Sequence, residues 1–142
     1  FQAYGNPNVL QMVAGTLPAP APGELLIRVT AIGVNYSDIL RRQNRYFMPT
    51  PLPFALGSEA VGVVEALGEG VEASFQLGTR VLAILPQAGG YATHVLAAAP
   101  YCIPLPPAIS DLQATALFVQ GSTAQLLISQ MVGQITGKTV LI

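Results

Sequence analysis

Short apolar runs, each closed by glycine or proline, dominate residues 1–107. Leu25–Ile32 follows Pro22-Gly23. Ala60–Leu67 ends at Gly68-Glu69-Gly70. Arg80–Leu85 follows Gly78-Thr79, and Tyr91–Leu96 follows Gly89-Gly90. Each run predicts a strand, and strands this short with turns at this spacing predict a small β-barrel or sandwich. One helix is expected in this part, over Ser37–Arg45. Asp38 stands early in it and Arg41, Arg42 and Arg45 late, which suits the helix dipole. The pattern changes at Pro106-Pro107. Ser110 with Gln113 three residues on fits a capping box, and a helical stretch follows to about Val132, interrupted at Gly121-Ser122. After Gly137-Lys138, Thr139–Ile142 reads as the opening of a buried strand, and Phe1–Gly5 as the tail of another whose start is missing. The order is therefore a β-rich module, a helix pair and the first strand of an α/β domain.

Composition narrows the classes. The 142 residues fit one domain with an appendage. Hydrophobic residues make up 51% and charged residues 9%, against roughly 25% charged in an average soluble domain. Two readings stay open: an apolar enzyme, or a surface that normally faces another domain. The net charge of −1 supplies no basic footprint, so no nucleic-acid partner is expected. Pro100, Gln120, Ser122 and Gln130 break the longest apolar stretches, so no membrane span is expected either. No leader segment is read at the start. Cys102 is the single cysteine and permits no internal disulfide; a cytoplasmic location is the default expectation.

The most specific stretch is Gly57-Ser58-Glu59-Ala60-Val61-Gly62-Val63-Val64. Two glycines around a buried strand let backbones approach closely, and Glu59 enters an apolar run where a carboxylate needs a partner. The stretch resembles the G-H-E-x-x-G-x-V signature of medium-chain dehydrogenases/reductases, with Ser58 where zinc enzymes have His. Gly33-Val34-Asn35-Tyr36-Ser37-Asp38 resembles the segment where zinc members carry a ligand cysteine, a position held here by Asn35. Gly78-Thr79-Arg80-Val81 resembles the family's G-D-R-V, and Gly90-Tyr91-Ala92 its G-x-Y/F-A. The similarity is collinear over essentially the whole chain. A catalytic zinc takes three protein ligands of Cys, His or carboxylate type. Two expected ligands are replaced, and one cysteine cannot build a four-cysteine lobe, so no metal is expected. His94, in an alternating strand, reads as a core or surface histidine.

What remains resembles the zinc-independent quinone oxidoreductase (zeta-crystallin-like) subgroup. The resemblance implies a mainly β fold with α: a GroES-like β-barrel catalytic domain over residues 1–115. Residues 116–142 would hold a linking helix and the first strand of a truncated Rossmann domain. It implies NADPH-dependent reduction of quinones or α,β-unsaturated carbonyls by hydride transfer, and a full-length homodimer. It places Asn35, Tyr46 and Thr123 at the cofactor, with Asn35 and Tyr46 also serving catalysis. The chemistry is reasonable for these types. The nicotinamide carries the hydride chemistry and the protein orients it. Asn35 offers donors and an acceptor, Tyr46 has a hydroxyl able to donate to a developing oxyanion, and Thr123 could bond a carboxamide. Plainer roles stay open: Asn35 as a helix cap, Tyr46 as an aromatic cover over the barrel, Gln120-Gly121-Ser122-Thr123 as a helix break and recap. Asp38 reads as structural.

Two rival functions are carried: reduction of enoyl thioesters, and a non-catalytic GroES-like binding module. By itself the 142-residue chain is expected neither to hold NADPH tightly nor to turn over substrate. Gly68-x-Gly70-x-x-Ala73 formally satisfies a dinucleotide fingerprint. Without a following helix, or an acidic residue at the ribose spacing, it reads as a hairpin turn.

Overall fold

The computed structural model describes residues 1–135 and 137–139. Val140–Ile142, on which the expected terminal strand rests, lie outside them.

Five strands form one antiparallel sheet: β1 (Glu24–Ile32), β2 (Glu59–Leu67), β3 (Arg80–Ile84), β4 (His94–Ala98) and β5 (Cys102–Pro104). Their order is β4-β1-β2-β3-β5, and the sheet curls around its core. The inward face carries Leu25, Ile27, Ala60, Val64, Val81, Ala83, Val95 and Ala97, closed by Phe75 from the β2–β3 connection and by Leu85. Side chains alternate across a strand, so Val61 and Leu82 point the other way and form a second cluster with Ala114. Burying each large aliphatic contributes roughly 1.5–3 kcal/mol relative to exposure.

Two bulges adjust this alternation. Leu26 pairs with Ala66 and Ile27 with Val64, so Glu65 is the extra residue on β2. Val29 pairs with Gly62 and Ala31 with Val61, leaving Thr30 extra on β1. The second bulge turns β1 over. Val29 packs on the main core while Ala31, two positions on, joins the opposite cluster.

Two helices follow the pattern read from sequence. The first, α1 (Tyr36–Arg42), starts and ends slightly earlier than expected. The second, α2 (Asp111–Ala116), begins at the Ser110/Gln113 capping box: Gln113 N–H donates to Ser110 Oγ at 3.2 Å and Ser110 N–H to Gln113 Oε1 at 2.9 Å. It packs over β1 and β2. Asp111 locks it there, accepting from Arg80 Nε at 3.0 Å and from the Thr30 hydroxyl at 2.6 Å, while Arg80 Nη2 also donates to Ile109 O at 2.7 Å. The break expected at Gly121-Ser122 does not occur. A π turn over Leu117–Gly121 carries the helix into α3 (Ser122–Ile135). Extra backbone enters the helix without ending it.

Two expected strands differ. Tyr91–Thr93 precede β4 rather than open it: Gly89 and Tyr91 donate to Leu56 O and Gly90 to Gly57 O, so these amides serve the 56–57 loop. Phe1–Gly5 forms no strand. Phe1 and Phe54 instead exchange two hydrogen bonds, at 2.7 and 3.0 Å, a single antiparallel pair. Gly68–Gly70 is the turn after β2, with Gly70 at φ +73°.

Candidate active site

Asn35 ends the loop after β1 and is the N-cap of α1. Its backbone N–H donates to Asp38 Oδ2 at 2.9 Å. Asp38 is 2% exposed, and a carboxylate so deeply buried needs several donors. Gly57 N–H supplies a second at 3.2 Å and the Tyr91 hydroxyl a third, also at 3.2 Å. Burial, then the Asp38 charge, raises the Tyr91 hydroxyl above its ordinary range. Asp38 therefore acts as a structural clasp joining α1 to the 57 and 91 loops.

The Asn35 side chain faces elsewhere. Its Nδ2 donates to Glu59 Oε1 at 3.2 Å. Glu59 is fully buried at the start of β2. Its other oxygen, Oε2, accepts from Val119 N–H at 3.2 Å, inside the π turn. Gly33 makes the room: a Cβ there would lie 1.9 Å from Glu59 Oε1. Burial raises the Glu59 carboxyl above its ordinary value, the Asn35 and Val119 donors pull against that, and the Asp38 charge adds to it. Thr123, exposed in the first turn of α3, donates through Oγ1 to Val119 O at 2.6 Å. A continuous chain thus runs Asn35–Glu59–Val119–Thr123. It joins two of the three residues expected at the site through one that sequence reasoning left without a role. The available signal was the carboxylate set in an apolar run.

Tyr46 stands apart from this chain. It lies half-buried in the segment after α1, with the Arg41 guanidinium 4.2 Å from its ring centroid and the Phe47 ring 4.5 Å away. Among the described residues no hydrogen bond joins it to Asn35 or Thr123. Arg41 also reaches over Phe54 at 5.3 Å, so one guanidinium lies between the Tyr46 and Phe54 rings.

His94 sits half-exposed on β4, its Nε2 3.2 Å from Glu65 Oε2, while Arg28 Nε meets Glu65 Oε1 at 2.7 Å. This is a surface cluster on the β2 bulge. Among the described residues, no three His, Cys, Asp or Glu side chains gather closely enough to hold a metal ion. Cys102 is buried, and desolvation pushes its thiol up to about 12. The donor set at Asn35 and Thr123 has spare capacity. Asn35 retains one Nδ2 hydrogen and Thr123 its oxygen lone pairs. One donor and one acceptor match the C=O and NH2 of a carboxamide.

A curled antiparallel sheet, a capped helix after its first strand and a helical run leaving its outer face define the class: a small β-barrel-type domain. Residues 21–107 match the alcohol dehydrogenase GroES-like domain, and the chain belongs to that family. A probable quinone oxidoreductase of Schizosaccharomyces pombe is 37% identical over 138 residues, covering 97% of this chain and 41% of that protein. A quinone oxidoreductase of Pseudomonas aeruginosa is 37% identical over 142 residues, covering 99% and 43%. The crystal structure of Escherichia coli quinone oxidoreductase complexed with NADPH superposes with a TM-score of 0.84 at 36% identity, over 92% of this chain and 40% of that one. The chain spans about two fifths of the length of these relatives.

Proposed function

We propose that this chain is the catalytic-domain part, residues 1–115 with the linking helix of 116–142, of an NADPH-dependent, zinc-independent reductase of quinones or α,β-unsaturated carbonyls. The observation that carries the reading is the hydrogen-bonded chain that links Asn35 and Thr123, on separate elements, through Glu59 and Val119. Relatives called quinone oxidoreductase, one of them solved with NADPH, support the same reading.

When bound, the nicotinamide supplies the hydride. The remaining Asn35 N–H donates to a carboxamide or carbonyl oxygen, and the Thr123 oxygen accepts from a carboxamide NH2. Both groups are set by the fold before binding, so little orientation entropy remains to be lost. Tyr46 contributes a neutral donor for the oxygen that gains charge as the acceptor is reduced. Arg41 over its ring helps hold it in place.

The test uses the longer protein that carries this chain, followed by NADPH absorbance with 1,4-benzoquinone and, separately, with crotonyl-CoA. Quinone-dependent NADPH oxidation is expected, with weak turnover of the thioester. The 142-residue chain alone is expected to give none. A preference for crotonyl-CoA overturns the substrate class, and no oxidation with either acceptor overturns the reading.

A further inference from the structure

Glu59 is the one fully buried acidic side chain of the described residues that touches both the barrel and the helical run. Its two oxygens face two donors, Asn35 Nδ2 and Val119 N–H, at 3.2 Å each. One partner is a side chain that can turn over; the other is a backbone amide that cannot. Gly33 leaves a space that any Cβ would close, since it would approach Glu59 Oε1 to 1.9 Å. The π turn fits the same arrangement. An interrupted α-helical ladder leaves backbone groups free to bond outside it, and here Val119 N–H bonds to Glu59 while Val119 O takes the Thr123 hydroxyl at 2.6 Å.

We propose that Glu59 is a positioning residue that sets both halves of the site at once: one oxygen fixes which way round the Asn35 carboxamide sits, and the other holds the π turn that carries Thr123. The inference rests on the reading that Asn35 and Thr123 serve one site. It goes beyond that reading by assigning the arrangement to a residue that touches neither substrate nor cofactor. The requirement is for polarity as well as bulk. A carboxylate accepts from both partners, whereas a carboxamide of the same shape can accept from only one. In Glu59→Gln the Val119 amide keeps its acceptor only if the introduced carboxamide turns its NH2 toward Asn35. Asn35 must then reverse or withdraw, so the group it offers to a ligand changes sign.

The experiment compares the longer wild-type protein with E59Q and with the double variant N35D/E59Q. Three readouts are taken: the Asn35 side-chain amide resonances, hydrogen exchange at Val119 N–H, and steady-state kinetics with NADPH and 1,4-benzoquinone. In E59Q the Asn35 resonances should shift, and kcat/KM should fall about ten-fold, chiefly through KM for NADPH, the scale of one reversed hydrogen bond. Val119 should retain protection only where Asn35 has turned over. In N35D/E59Q both pairings are restored with donor and acceptor exchanged on one side: the new amide at position 59 donates to the new carboxylate at position 35 and accepts from Val119 N–H. Val119 protection should return to within about three-fold of wild type, as expected when hydrogen-bond pairing is restored. Rescue by a swapped pair is something a mere space-filling role would not produce, and it carries the test if E59Q alone fails to fold. Unchanged Asn35 resonances and Val119 exchange in E59Q overturn the proposal, whatever the kinetics. So does a double variant that rescues neither. If the spectroscopic changes appear but wild type oxidises no NADPH, Glu59 keeps its positioning role and the proposed reaction fails.

Discussion

The Glu59 carboxylate is the residue on which a pH response should be visible. Burial raises its folded-state value above the unfolded one, outweighing the Asn35 and Val119 donors. Among the described residues the acidic charge that acts on it is Asp38 of α1, itself held by Asn35, Gly57 and Tyr91. For an acid raised in the fold, the native state binds the proton more tightly. Its contribution to stability is therefore full below the unfolded value and is lost as pH rises through the folded value. The glutamine of E59Q does not titrate, so the stability of wild type relative to that variant should decline as pH is raised from about 4 to 8. Urea denaturation across that range reads the trend, and a constant gap contradicts it. Gly33→Ala tests the same cradle from outside. Its Cβ would overlap Glu59 Oε1, and overpacking of this kind costs about 1–3 kcal/mol. Thermal melts should show that loss together with faster exchange at Val119. At this scale the sequence was half legible. The resemblance named Asn35, Tyr46 and Thr123 as candidates, of which the fold links Asn35 and Thr123, and Glu59 was visible as a charge in an apolar run. Its partners could not be read, because residues 24 and 60 positions distant meet only through the fold.

At the scale of elements, β1, β2 and β3 were legible because short apolar runs bounded by Gly and Pro have few other solutions. Strand β5 was missed because Cys102–Pro104 is three residues long and two of them are exposed. The first residues of β4 were misplaced because Gly89 to Tyr91 use their amides on the 56–57 loop, which no local pattern encodes. The π turn was read as a break because Gly121 next to Ser122 is a good helix punctuator; Glu59 and the packing of Phe118 on the Leu82 cluster supply the tertiary reason it continues. The contact that seats this run is Asp111 with Arg80 and Thr30. Hydrogen bonds from Thr30 and then Arg80 hold the Asp111 carboxyl below its ordinary value. A lowered acid contributes stability that is present above the unfolded value and lost as pH falls through the folded one. Since both side chains keep about 30% exposure, solvent screening limits the pair, and Asp111→Asn should cost about 1 kcal/mol at neutral pH. The cost should shrink in acid. Urea midpoints of the two proteins at about pH 7 and about pH 3 measure it; a loss that is the same at both assigns the role to packing.

For the molecule as a whole, the helical run after the barrel is one place where apolar side chains face outward. Leu126, Leu127 and Ile128 of α3 are 58%, 60% and 51% exposed, with Leu112 and Leu117 of the same run at 75% and 58%. Three consecutive helical positions spread over more than half the circumference, so no single packed face could cover them. An ordinary surface helix shows one apolar stripe. A helix apolar on several sides is one that other structure surrounds. The core of the barrel is closed by its own residues, and the helical run beyond it carries one part of the exposed apolar surface, beside Met12, Val13, Val34, Tyr36 and Phe47 elsewhere. The chain spans about two fifths of its relatives, which leaves ample polypeptide in proteins of that length to cover this run. The 142-residue chain alone should therefore bind an apolar dye such as ANS and self-associate with rising concentration. Leu127→Gln with Leu126→Gln should weaken both, because exposed apolar patches of this kind drive association. Neither change removes a side chain from the core or from the Asn35–Glu59–Val119–Thr123 chain, so thermal stability of the barrel should hold. Sedimentation at increasing concentration, with dye fluorescence alongside, decides it. A monomer that binds no dye would mean the helical run folds back on the barrel, and its leucines would then belong to the interior of this chain rather than to a surface shared with another part of a longer one.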